Sequence, residues 1–82
     1  MTKVSITLTG ADKENVTYVL LGGKRWGLNG SAYDTQQAVD SGSQDWKVGF
    51  PRSEAEGEID VPDDATTVMT VDAKPDEVTV SF

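Results

Sequence analysis

The sequence predicts an all-β chain: a small antiparallel β-sandwich, loosely immunoglobulin-like, or a partly open barrel. Six or seven strands are expected, with at most one short surface helix. Three observations carry this expectation. Apolar residues recur at every second position in several segments, the period of a half-buried strand. Turn chemistry built on Gly, Pro, Asp and Asn separates those segments at roughly 8–12-residue intervals. Val and Thr, whose branched side chains suit a pleated surface, dominate between the turns.

The first segment, "KVSITLT", places Val4, Ile6 and Leu8 on one face and polar residues on the other. "GADKEN" follows as a turn, and "VTYVLL" is apolar on both faces, as in a strand that is central or covered twice. These two strands together predict a β-hairpin with a longer loop. A further strand is expected at Lys24–Leu28, where Trp26 alternates with Leu28. "SAYDTQQAVDSG" is the one helix candidate, with Ser31 as N-cap and Gly42 beyond the C-terminus. It would form one or two turns or an ordered loop.

Strands follow at "WKVGF", "EIDVP", "TTVMTVDA" and "EVTVSF", joined by the turns "PRSEAEG", "PDDA" and "AKPDE". The inward set expected from this pattern is Val4, Ile6, Leu8, Val16, Tyr18, Leu20, Trp26, Trp46, Val48, Phe50, Ile59, Val61, Met69, Val71, Val78, Val80 and Phe82. With 82 residues, positions 1–82 are expected to form one domain, because two independent cores would not fit. No cysteine is present, so no disulfide or zinc–thiolate staple reinforces the core.

Composition narrows the chemistry. The chain has no histidine and no cysteine, which removes the commonest general bases, nucleophiles and transition-metal ligands. A non-enzyme is therefore expected, with no metal site and no cofactor. "DVPDDATT" gathers Asp60, Asp63 and Asp64, but the calcium-loop pattern is absent. "GGKRWG" lacks the remaining positions of a phosphate-binding loop. The formal charge of −7, from fourteen acids and seven bases, argues against direct binding to nucleic acid, which needs a basic footprint. No apolar run is long enough to span a membrane, and the N-terminus has no signal-peptide core. A cytoplasmic or assembly-associated location is expected.

Two regions stand out as candidate contact surfaces. "GGKRWGLNGSAYD" holds Lys24, Arg25, Trp26, Asn29 and Tyr33 among glycines. Trp, Tyr and Arg are the types enriched at interface hot spots, and such loops often carry function. For Trp26 itself, closing the core is the stronger expectation. The second region is acidic: Glu54, Glu56, Glu58, Asp60, Asp63 and Asp64, with no base between them. The alternation of Glu56, Glu58 and Asp60 puts them on one strand face. Such a row either keeps an exposed edge from pairing or imitates a phosphate backbone.

The expected function is a non-catalytic protein-interaction or structural module, in a virion (phage) or cell-surface assembly, with a protein partner or as a homo-oligomer. One alternative is an acidic inhibitor that occupies the basic groove of a nucleic-acid-handling protein. Another is a carbohydrate-binding module using Trp26, Tyr33 or Trp46 as a stacking platform.

Overall fold

Alternating apolar residues do build strands here, and the computed structural model, which describes residues 1–27 and 35–82, contains eight of them. In chain order they are β1 (Thr2–Thr9), β2 (Tyr18–Leu21), β3 (Lys24–Gly27), β4 (Gln37–Val39), β5 (Gly42–Gly49), β6 (Glu54–Val61), β7 (Thr66–Lys74) and β8 (Glu77–Ser81). The described helical structure is one 3-10 turn, Lys13–Asn15. The strands form two four-stranded sheets, ordered β4-β1-β7-β8 and β3-β2-β5-β6. The Cα radius of gyration, 11.6 Å, matches the ~12 Å of a folded domain this long.

The first two strands do not form the expected hairpin. β1 pairs with β4 and β7, whereas β2 pairs with β3 and β5 in the other sheet. Gly10 explains the departure. It takes φ +96°, and a Cβ there would lie 2.2 Å from the Ala73 carbonyl oxygen. The Asp12 N–H then donates to that carbonyl at 2.9 Å. The loop is thus tied across the end of β7 before the chain enters the second sheet.

The β1–β7 pairing is parallel, in register from Lys3↔Thr66 to Thr9↔Asp72, so the sheets are not wholly antiparallel. Nor is the order that of an immunoglobulin domain, where the first two strands share a sheet.

The helix candidate is also corrected. Gln37–Val39 is extended and pairs with β1, and Val39 is buried. The part of that segment at 31–34 lies outside the described residues. Gly42 does adopt a positive φ, +95°, but it opens a strand rather than closing a helix.

Both sheets feed one hydrophobic cluster. Val4, Ile6, Met69, Val71 and Ala73 come from one, and Val19, Leu21, Trp26, Trp46 and Val48 from the other. Val16 and Val39 join them, while Leu8, Phe50, Ile59, Val78 and Val80 pack against the rim. Three residues expected inside are not core. Tyr18 and Leu20 are half-buried on the outer face, and Phe82 is 41% exposed. Their place on β2 is taken by Val19 and Leu21, for a reason set by the next turn.

Thr2 is the buried polar residue of this core. Its hydroxyl donates to the Pro62 carbonyl and accepts from the Asp64 N–H at 3.2 Å. Both bonds reach into the β6–β7 turn, so a side chain on the first strand fixes the entry to its parallel neighbour. Satisfied in this way, the hydroxyl avoids the penalty of an unpaired buried group.

Candidate interaction surface

Leu21 and Lys24 close a two-residue turn, with Gly22 at φ +55° and Gly23 at φ +82°. Two successive left-handed residues make the primed hairpin turn that matches strand twist, and glycine accepts it without strain. This register puts Trp26 directly opposite Val19, and both side chains are buried. Tyr18, Leu20 and Arg25 therefore belong to the opposite, outward face.

Tyr18 is the centre of that face. Its ring lies against Gly49 of β5, where a Cβ would fall 2.1 Å from Tyr18 Cε1. The Tyr18 hydroxyl donates to Glu54 Oε2 on β6. On the other side, the Arg25 guanidinium carbon sits 5.4 Å from the ring centroid, within cation–π range. An Arg–Tyr–Glu row thus crosses the whole sheet from β3 to β6. Beside it, Leu20, Asp45, Lys47, Glu56 and Glu58 line a shallow open trough of about 530 Å³. Lys47 Nζ and Glu56 Oε2 approach to 3.8 Å across that trough.

Electrostatics follow from this row. The hydrogen bond to Glu54 holds the Tyr18 phenol above its ordinary 10.0; desolvation and the Glu54 charge push the same way, while Arg25 opposes them. A phenol whose folded pKa is raised contributes stability that is complete below its unfolded pKa and disappears as pH climbs through the folded value. Spectrophotometric titration should therefore show Tyr18 ionising later than a free tyrosine. Glu54→Gln should move that midpoint back down, and identical wild-type and variant curves would mean that the bond does not form in solution.

The loop candidates separate on inspection. Lys24 and Arg25 are exposed on β3. Trp26 is not available to a partner: it is 1% exposed, and its indole N–H donates to the Thr35 carbonyl at 2.8 Å. Asn29 and Tyr33 lie outside the described residues. Gln37 adds a bond from its amide nitrogen to the Arg25 carbonyl at 2.6 Å. The structure brings Tyr18 and Leu20 to Arg25, although their place in the alternating pattern assigns both to the core.

The acidic candidates divide too. Glu54, Glu56, Glu58 and Asp60 alternate along β6 and are all exposed, with Ala55, Gly57, Ile59 and Val61 between them facing inward. Gly57 leaves room for the Trp46 indole, which would lie 2.9 Å from a Cβ placed there. Asp63 and Asp64 are exposed in the following turn, off the strand row. Ser43 donates to Glu58 at 3.2 Å. Among the described residues, no group of three His, Cys, Asp or Glu side chains is arranged to hold a metal ion.

Trp46, offered with Trp26 as a sugar-stacking platform, is 9% exposed and faces the core. Trp26, 1% exposed, presents no face on which a sugar could stack, whereas Trp46 also borders the trough beside Lys47 and Glu56. Family models, curated protein sequences and solved structures were compared with this chain, and none of them matches it.

Proposed function

We propose that this chain is a non-catalytic protein-interaction module on a β-sandwich scaffold, acting through the outer face of the β3-β2-β5-β6 sheet. The sandwich reading is supported by the shared hydrophobic cluster and by the sheet edges: β3 runs beside β4, and β6 beside β8. The observation that carries the function is the Tyr18 row. A partly exposed aromatic ring is held flat over Gly49, flanked by Leu20, with Arg25 and Glu54 at its two ends. An ordered aromatic–aliphatic centre with charges around it has the composition of an interface hot spot and its rim. Ordering before contact lowers the entropy cost of binding. A chain without imidazole or thiol is suited to holding rather than reacting. A structural place in a virion or cell-surface assembly fits this reading.

Site-specific photo-crosslinking in the producing cell tests the proposal. A crosslinker at Leu20 should capture a discrete protein, while one at Thr7, on the outer face of the other sheet, should not. Arg25→Glu should reduce capture about 30-fold, the equivalent of ~2 kcal/mol for a hot-spot arginine. Equal capture from both faces would sink the reading.

The β6 row supports a second reading, an acidic surface that enters a basic groove. Its four carboxylates repeat every second residue, at intervals of about 6.7 Å. Binding of that kind weakens steeply with salt. It should be lost when Glu56, Glu58 and Asp60 are changed to Lys.

A further inference from the structure

The two sheets end in four edge strands: β4, β8, β3 and β6. An open edge is a template for another strand, and proteins that must not pair protect it with charge, Pro, short length or cover. Three of these edges are protected. β6 carries the carboxylates of Glu54, Glu56, Glu58 and Asp60. β4 is three residues long. β3 has four residues, and its Arg25 carbonyl already accepts the Gln37 amide.

β8 is the least defended. It reads "EVTVS", with one charge, Glu77 beside the turn, and no Pro or Gly, and Phe82 follows it. Val78 and Val80 are half-buried, and Phe82 is 41% exposed.

We propose that β8 is the docking edge for a second copy of this chain, the two β8 strands pairing antiparallel about a two-fold axis at Thr79. This contact is separate from the Tyr18 face and does not depend on it. The register follows from hydrogen-bond alternation. Lys74 and Glu77 close a two-residue turn, and Asp72↔Thr79 and Thr70↔Ser81 are the alternate pairs beyond them. These pairs direct the N–H and C=O groups of Thr79 and Ser81 toward β7, so those of Val78 and Val80 point to the open edge. With Thr79 on the axis, Val78 of one copy meets Val80 of the other, and four main-chain hydrogen bonds form.

The side chains agree with that register. Thr79 faces Thr79, a favourable cross-strand pair, and Glu77 faces Ser81 rather than another acid. The strand is thus self-complementary, as an isologous contact must be. One opposing force is built in. An axis normal to the sheet brings the two β6 strands, each beside its own β8, to the same side of the contact. Their carboxylate rows, both on the outer face, then run side by side. A five-residue strand pair belongs to the small-interface class, below about 1,200 Å², so the dimer is weak and is strengthened by salt, which screens the rows.

Sedimentation equilibrium over a concentration series, at low and high salt, should show reversible dimers that increase with salt. Thr79→Lys, an exposed position on a strand that keeps its bonds to β7, should weaken dimerisation at least tenfold with the circular dichroism unchanged. The chain has no cysteine, so Thr79→Cys adds one unique thiol. On the axis, its Cα atoms would lie about 4.5 Å apart, within disulfide range. Ser81→Cys would leave its thiols' Cα atoms about 14 Å apart, four residue rises along the strand. Mild oxidation should link the Thr79→Cys variant at least tenfold faster than the Ser81→Cys variant. A strict monomer at all concentrations, equal linking at the two positions, or a dimer dissociated by salt would overturn the proposal.

Discussion

Trp26→Ala should cost the protein a large part of its stability. A buried tryptophan cut back to alanine costs about 3–5 kcal/mol, in lost transfer energy and in the cavity left behind. At ~0.05–0.15 kcal/mol per residue, a chain this long has roughly 4–12 kcal/mol of stability. Trp26 is the largest side chain at under 2% exposure, and it bridges Val19 of β2 to the Thr35 carbonyl. Urea unfolding monitored by far-ultraviolet circular dichroism should show the midpoint lowered by roughly a quarter of its value or more. Arg25→Ala, one residue earlier and exposed, should cost under about 1 kcal/mol. Near-equal losses for the two variants would mean that the indole is not in the core. With the indole in the core, a binding defect of Trp26→Ala reports lost stability rather than a lost contact.

The difference between Trp26 and its neighbours explains how much of the fold was legible. Period-two patterning correctly marked the inner faces of β1 and β5, because each has one polar face and one apolar face. On β7 it left Val68 as an alternative to Met69 and Val71, and Val68 is the one exposed. On β2 the pattern pointed to the wrong face, Tyr18 and Leu20, since "YVLL" is apolar on both faces. The missing information lay in the next two residues. Gly22-Gly23 is a primed-turn signature, and the closing pair Leu21–Lys24 forces Val19 opposite Trp26. Read that way, the turn would have moved Tyr18 and Leu20 to the outside.

Other features had no local signal. β4 is three residues with one buried valine, too short for any period to be read. Its strand character comes from pairing with β1, a partner more than thirty positions away. β6 extends back through "EAEG", which resembles a turn, because Ala55 and Gly57 are small enough to pass under Val48 and Trp46. The parallel β1–β7 pair needs the whole chain to be folded between its two strands. The acidic row was legible, since alternation alone places Glu56, Glu58 and Asp60 on one face.

Gly49→Ala tests the outer face at its centre, and its sign should depend on Tyr18. A Cβ at position 49 would fall 2.1–2.5 Å from three atoms of the Tyr18 ring, so the ring must leave. With it go the bond to Glu54 and the Arg25 stack. Overpacking of this kind costs about 1–3 kcal/mol. In a Tyr18→Ala background, the obstacle is absent. Alanine in a strand is then favoured over glycine by roughly 0.5–1 kcal/mol, because less chain entropy is lost. The same substitution should therefore destabilise the wild type and be neutral or stabilising in the variant. Denaturation of the four proteins gives a coupling energy, expected above ~1 kcal/mol for residues in direct contact. Strict additivity would mean that the ring is not seated on Gly49, and the ordered aromatic centre on which the proposed partner recognition rests would be lost with it.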